Sequence, residues 1–93
     1  MDIYAKLVER IIKEQETIIG PVALEQARKV PGLNVDSDVA QISFTGDKKE
    51  IIEKLVKKYE ELFGRTSIEV CKEAVRDIIP TASQDQLPQL LLN

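Results

Sequence analysis

The stretch of sequence that decides the fold is residues 46–79, which read GDKKEIIEKLVKKYEELFGRTSIEVCKEAVRDII. Both halves begin with the spacing of a helix capping box, because Asp47 stands three residues before Glu50 and Thr66 stands three residues before Glu69. Apolar residues recur in each half at intervals of three and four, and a glycine separates the halves. The recurring apolar residues are Ile51, Ile52, Leu55, Val56, Tyr59, Leu62 and Phe63, then Ile68, Cys71, Ala74, Val75, Ile78 and Ile79. The stretch therefore predicts two helices that share one apolar seam.

Two further helices are predicted before this stretch. Residues 3–19 place apolar side chains on one face and charged side chains on the other, as an amphipathic helix does. Gly20 and Pro21 interrupt the pattern, because proline lacks the amide hydrogen that a helix interior requires. The sequence leaves open whether they break the helix or only kink it, since the apolar phases on the two sides nearly agree. A second, shorter helix is predicted from Val22 to Val30.

A β-hairpin is predicted between the two pairs of helices. Residues 33–35 and 39–45 alternate apolar and polar side chains, and residues 36–38 between them have the composition of a turn. Placing Val35 opposite Ala40 makes the apolar face continuous across both strands. A slip of one residue would destroy that match, so this register is the predicted one.

These patterns predict a small, helix-dominated α+β domain with the element order α-α-β-β-α-α and a central two-stranded antiparallel hairpin. Residues 1–80 are expected to form the single domain, and residues 81–93 a C-terminal tail with a leucine-rich end. A chain of 93 residues suffices for one core, but aromatic residues make up only 4% of it. So light a core favours oligomerisation as a further source of buried surface.

Residue types that commonly carry catalysis or bind metals are scarce. The chain has no histidine and one cysteine, so it lacks the commonest general base and the usual zinc ligands. That cysteine, Cys71, has the helical spacing of a buried hydrophobic residue. Asp36 and Asp38 match the opening of a calcium-binding loop, but position twelve of that loop is Asp47 rather than glutamate, which favours a simple turn. We therefore predict no catalytic, cofactor-binding or metal-binding residue and no enzymatic activity.

The net charge and the composition of individual segments limit the classes of partner and the cellular location that we expect. A net charge of −3, from 13 basic and 16 acidic residues, argues against nucleic acid as the partner. The first residues lack the pattern of a secretion signal, and no apolar run approaches the roughly 18 residues of a membrane span. A single cysteine gives no sign of a disulfide-forming compartment. We expect a cytoplasmic protein without a membrane partner.

Two segments are candidates for binding another protein. The first helix contains the spacing of a short coiled-coil seam, although a helix that packs on its own core shows the same pattern. The tail has the spacing of a peptide that docks one apolar helical turn in a groove, on this domain, on a dimer mate or on another protein. The candidate interaction residues are Tyr4, Val8, Ile11 and Gln15 in the first helix and Leu87, Leu90 and Leu91 in the tail.

The sequence thus predicts a small protein–protein interaction or regulatory module, such as an adaptor. The module is expected to form a homodimer, to have a further protein partner and to carry no cofactor. The alternative is a small transcription-associated DNA-binding protein that uses the 47–79 helix pair, which has a helix–glycine–helix arrangement. Against this alternative, Glu69 and Glu73 stand among the basic residues of the second helix, a poor balance for a surface that meets phosphates.

Overall fold

The computed structural model of the protein describes residues 3–35 and 41–76. Within them the chain forms four helices and one two-stranded antiparallel sheet, so the predicted α+β class and element order are confirmed. The predicted tail lies outside the described residues. The elements are α1 (Ile3–Ile19), α2 (Val22–Arg28), β1 (Leu33–Val35), β2 (Ile42–Phe44), α3 (Lys48–Phe63) and α4 (Thr66–Val75).

A sharp turn makes α1 and α2 separate helices. Gly20 has a φ of 74°, in the left-handed region that glycine adopts without steric penalty. Its amide donates to the Glu16 carbonyl at 2.9 Å and completes the last turn of α1. Its carbonyl accepts from the Ala23 amide at 3.1 Å and opens the first turn of α2. The Gly20–Pro21 pair therefore breaks the helix, which the sequence pattern had left open.

The hairpin register differs from the predicted one by two residues. Val35 lies opposite Ile42 and not opposite Ala40. A shift of two keeps every side chain on its own face, so alternation alone does not distinguish the two registers. The deciding contact lies at the far end of the strands, where the Thr45 amide donates to the Gly32 carbonyl at 2.7 Å and extends the ladder.

The start of α3 confirms the prediction, whereas the start of α4 does not. Asp47 Oδ1 accepts a hydrogen bond from the Glu50 amide at 3.1 Å, as an N-cap should. Thr66 is instead the first residue inside α4, and the N-cap residue, Arg65, makes no side-chain capping hydrogen bond. The prediction of a Thr66 cap was wrong because the glycine corner provides the acceptor. There the Ser67 amide donates to the Gly64 carbonyl at 3.1 Å.

The core surrounds α1, which contacts α2, α3, α4 and β2. Its largest fully buried side chain is Tyr59, whose hydroxyl donates to the Ala23 carbonyl at 2.7 Å and ties α3 to α2. The other buried side chains are mainly aliphatic, as the composition predicts. The buried apolar residues are Ala5, Leu7, Val8, Ile11, Ile12, Ala23, Ala27, Val30, Leu33, Ile51, Ile52, Leu55, Val56, Tyr59, Ile68, Cys71, Ala74 and Val75.

Candidate interaction surface

The α1 residues predicted to bind a partner lie mostly in the core. Val8 and Ile11 have no exposed surface, Gln15 is 1% exposed, and Tyr4 is partly buried against the core. An apolar helix face fits a partner or a core equally well, and here the chain's own elements cover it. Val8, Ile11 and Gln15 are therefore not on the described surface. The predicted tail residues, Leu87, Leu90 and Leu91, lie outside the described residues.

Gln15 joins α1 to the beginning of α4 through a buried polar cluster. Its Nε2 donates to the Ser67 carbonyl at 3.2 Å and to the Cys71 Sγ at 3.5 Å. A buried amide without partners would be costly, and these two bonds offset that cost. The interruption of the apolar stripe at position 15 is therefore the sequence signal of an interhelix contact.

Cys71 belongs to this cluster and has the properties of a core residue. Its side chain has no exposed surface, as its helical spacing predicts. Burial raises the pKa of the thiol from its ordinary value of 9.0 to about 11, although the Gln15 hydrogen bond acts in the opposite direction. A nucleophilic cysteine needs a lowered pKa and access to a substrate. Cys71 has neither.

Burial of Cys71 is expected to make the protein less stable at alkaline pH. Because the folded-state pKa is raised, this contribution to stability is complete below about pH 9 and is lost as the pH rises through about 11. Two pH units correspond to a loss on the order of 2–3 kcal/mol. Urea unfolding near pH 8 and near pH 11 should therefore show a larger loss for the wild type than for Cys71→Ala.

Tyr59 serves as an internal reference in that comparison. Burial, and then the nearby Cys71 and Glu16, raise the pKa of its phenol, so it also contributes to alkaline destabilisation. Tyr59 is present in both proteins, and the difference between them reports mainly on Cys71. An equal pH dependence of the two proteins would contradict the expected role of the thiol.

Among the described residues, four large apolar side chains are exposed, and each lies where a helix ends or begins. The exposed fractions are 61% for Ile18, 37% for Val22, 50% for Leu62 and 39% for Phe63. The prediction that Leu62 and Phe63 lie on the shared apolar seam was therefore wrong in part. They occupy the last turn of α3, beyond the fully buried Tyr59. We call these four side chains the apolar end.

Two hydrogen bonds show that the four residues lie at the same end of the fold. The bond from Gln15 to Ser67 places the last turns of α1 beside the start of α4, which follows Phe63 closely in the chain. The bond from Tyr59 to Ala23 places the last turns of α3 beside the start of α2. The ends of α1 and α3 therefore meet the starts of α2 and α4.

The two glycine corners at this end leave it open. Beyond the neighbours in the chain, a Cβ atom added at Gly20 or at Gly64 would meet no described atom within 4 Å. Both corners join helices that contribute residues to the apolar end. An approaching molecule would therefore find no side chain projecting from either glycine.

The hairpin lies at the opposite end of the long helices. The Lys48 ammonium is 5.7 Å from the centre of the Phe44 ring and 5.9 Å from the centre of the Tyr4 ring. Phe44 belongs to β2, while Lys48 and Tyr4 lie in the first turns of α3 and α1. β2 therefore stands beside the starts of the same two helices whose last turns carry Ile18 and Leu62.

Charges on the α3–α4 pair are interleaved. Several basic side chains of the pair, and Arg76 directly after α4, lie within salt-bridge distance of a glutamate one turn away, which partly balances the charge of this surface. Such exposed pairs contribute little to stability. The pairs are Glu50–Lys54, Glu53–Lys57, Glu69–Lys72 and Glu73–Arg76. DNA binding by this helix pair stays a prediction, and the paired glutamates weaken its physical basis.

The described residues contain neither a candidate metal site nor a candidate membrane span. Among them, no group of three or more histidine, cysteine, aspartate or glutamate side chains is arranged to hold a metal ion. In the same ranges, 3–35 and 41–76, no helix is both long and apolar enough to cross a membrane.

In comparisons with known proteins, no protein-family model, no curated protein and no solved structure matches this chain.

Proposed function

We propose that the protein is a small, non-catalytic interaction or regulatory module of the cytoplasm that binds a second copy of itself through the apolar end. The observation that carries the proposal is the exposure of four large apolar side chains at one end of the fold. Single exposed apolar residues are ordinary on protein surfaces, but a group of them is typical of an interaction site. The free thiol of Cys71 is in keeping with a reducing compartment.

The chemistry of the apolar end suits a symmetric partner. In a two-fold dimer each chain presents the same residues, so the apolar side chains of one copy meet those of the other. Glu61 and Arg65 are both exposed beside Leu62 and Phe63 and carry opposite charges. A two-fold axis can bring Glu61 of one copy to Arg65 of the other. Such complementary charges favour a specific dimer over non-specific hydrophobic association.

The size of the apolar end sets the expected strength of the dimer. Four partly exposed side chains provide on the order of a few hundred Å² of apolar surface. A stable interface of standard size takes roughly 800 Å² from each partner. We therefore expect a weak dimer whose population depends on concentration, as suits a regulatory module more than a permanent assembly.

Replacing Leu62 by lysine should abolish this self-association. Leu62→Lys places a charge at the centre of the proposed interface, where dimerisation would have to remove it from water. Leu62 is half exposed in the single chain, so the melting temperature should change little. The measurement is the weight-average mass by sedimentation equilibrium over a wide range of concentration. The mass of the wild type should rise with concentration, and that of Leu62→Lys should stay at the monomer value.

Ser43→Lys is the matched control. It adds the same charge to an exposed position of β2, at the end of the fold that carries the hairpin. Self-association should be retained in this variant. A wild type that stays monomeric throughout, or two variants that behave alike, would contradict the proposal.

A further inference from the structure

We propose that the leucine-rich segment near the C-terminus docks on the apolar end of its own chain and competes there with the second copy. This inference rests on the proposed function, because it names the regulation of that same surface. The segment carries Leu87, Leu90, Leu91 and Leu92 after a polar spacer. Docking would shield two apolar surfaces from water at once.

The size of the surface favours a short peptide as occupant. The apolar end is small beside the roughly 800 Å² that a stable dimer takes from each partner. One turn of an amphipathic helix with three apolar anchors is a recurring ligand for a surface of this kind. Leu87, Leu90 and Leu91 stand at positions i, i+3 and i+4, which would share one face of such a helix. Pro88 is tolerated in a first helical turn.

The chain is long enough for the segment to return to the apolar end. α4 begins at that end and has 10 residues, so its far end lies about 15 Å away. Residues 77–86 then separate Arg76 from Leu87. Ten residues span up to about 33 Å when extended, about twice the distance required. The connection therefore does not prevent the contact.

Tethering decides which occupant prevails at ordinary concentrations. A segment tethered through about ten residues has an effective concentration in the millimolar range. A second copy at micromolar concentration competes at a disadvantage of about a thousandfold if the two contacts have similar intrinsic affinity. The segment should therefore cover the apolar end in most monomers, and self-association should increase when it is displaced.

A spin label at the end of the full chain tests the contact directly. Asn93→Cys provides the attachment site, and the buried Cys71 should stay unmodified in the folded protein. In the ¹⁵N-labelled chain, the nitroxide should reduce the amide signals of Ile18, Val22 and Leu62 at least twofold relative to the reduced label. Ser43, in the hairpin, should keep its intensity. Adding Leu90→Asp to the labelled chain should restore the signals of the apolar end.

A mixed sample separates the occupants. It contains ¹⁵N-labelled chain without nitroxide and unlabelled chain with nitroxide. Docking within one chain should leave the signals of this mixture unchanged, whereas signal loss at the apolar end in the mixture as well would assign the segment to a second copy and overturn docking within one chain. No signal loss in either sample would overturn the inference as well.

A second measurement avoids the label. In the otherwise unmodified chain, Leu90→Asp should shift the amide resonances of Ile18 and Leu62. The resonances of the hairpin should stay in place. Unchanged resonances at the apolar end would overturn the inference. The proposed function has its own readout, the loss of dimer mass in Leu62→Lys. Dimerisation without contact from the segment would refute only the inference, whereas contact without dimerisation would refute only the self-association.

Discussion

Gly32→Ala is expected to destabilise the protein by about 3 kcal/mol or more, combining backbone strain with a lost ladder hydrogen bond. Gly32 has a φ of 85°, which costs other residues about 1–2 kcal/mol. An added Cβ would lie 2.6 Å from the Thr45 carbonyl oxygen and 2.9 Å from the Ile51 Cδ1. The Ile51 methyl can rotate away, but the Thr45 oxygen is backbone. To relieve this clash, the backbone at Gly32 and the backbone at Thr45 must move apart, and their hydrogen bond is the one that fixes the hairpin register.

Gly20→Ala is the matched control for this prediction. Gly20 also has a positive φ, 74°, but beyond its neighbours in the chain no described atom lies within 4 Å of the position a Cβ would take. Its replacement should cost only the backbone term of about 1–2 kcal/mol. Urea unfolding of the two variants measures the difference. Equal losses would mean that the close approach of Thr45 to Gly32 does not constrain the hairpin.

Tyr59→Ala should lower the free energy of unfolding at least as much as Gly32→Ala does, and most of this loss should come from lost packing. Removing a fully buried aromatic side chain costs about 3–5 kcal/mol, and the lost bond to the Ala23 carbonyl adds about 1 kcal/mol. For a chain of 93 residues the whole stability is on the order of 5–14 kcal/mol. The variant should therefore melt far below the wild type or populate the unfolded state at room temperature.

Tyr59→Phe separates the two contributions. It keeps the ring and removes only the hydroxyl that bridges α3 to α2, so the free energy of unfolding should fall by about 1–2 kcal/mol. Denaturant unfolding of both variants provides the comparison. A loss in Tyr59→Phe equal to that in Tyr59→Ala would place the stabilisation in the hydrogen bond and not in the ring.

The parts of the fold that follow from local chemistry were predictable from the sequence. The bounds of α1 follow from helical periodicity, and the start of α3 follows from the Asp47 cap. In both cases the signal and the contact lie within a few residues of each other. The order of the elements follows because each has its own periodicity and its own boundary residues.

The parts that depend on distant contacts were not predictable in the same way. The hairpin register is fixed where Thr45 meets Gly32, and the predicted register satisfied the alternation equally well. The pattern of α1 shows that one face is apolar but does not show what covers it, so Val8 and Ile11 matched both a partner surface and a core. The apolar end was missed because Leu62 and Phe63 continue the periodicity of α3 past the buried part of the helix.

The contact between α1 and α4 has a consequence for the timing of folding during synthesis. Gln15 and the two α4 residues that it contacts are separated by 52 and 56 positions in the chain. At roughly 5–20 residues per second, a ribosome needs on the order of 3–10 s to make the intervening chain. Throughout that interval α1 lacks the cover of α4, so the nascent chain presents apolar surface that the finished protein conceals. Chaperones that recognise such surface therefore have their best opportunity to bind this protein before α4 has been made.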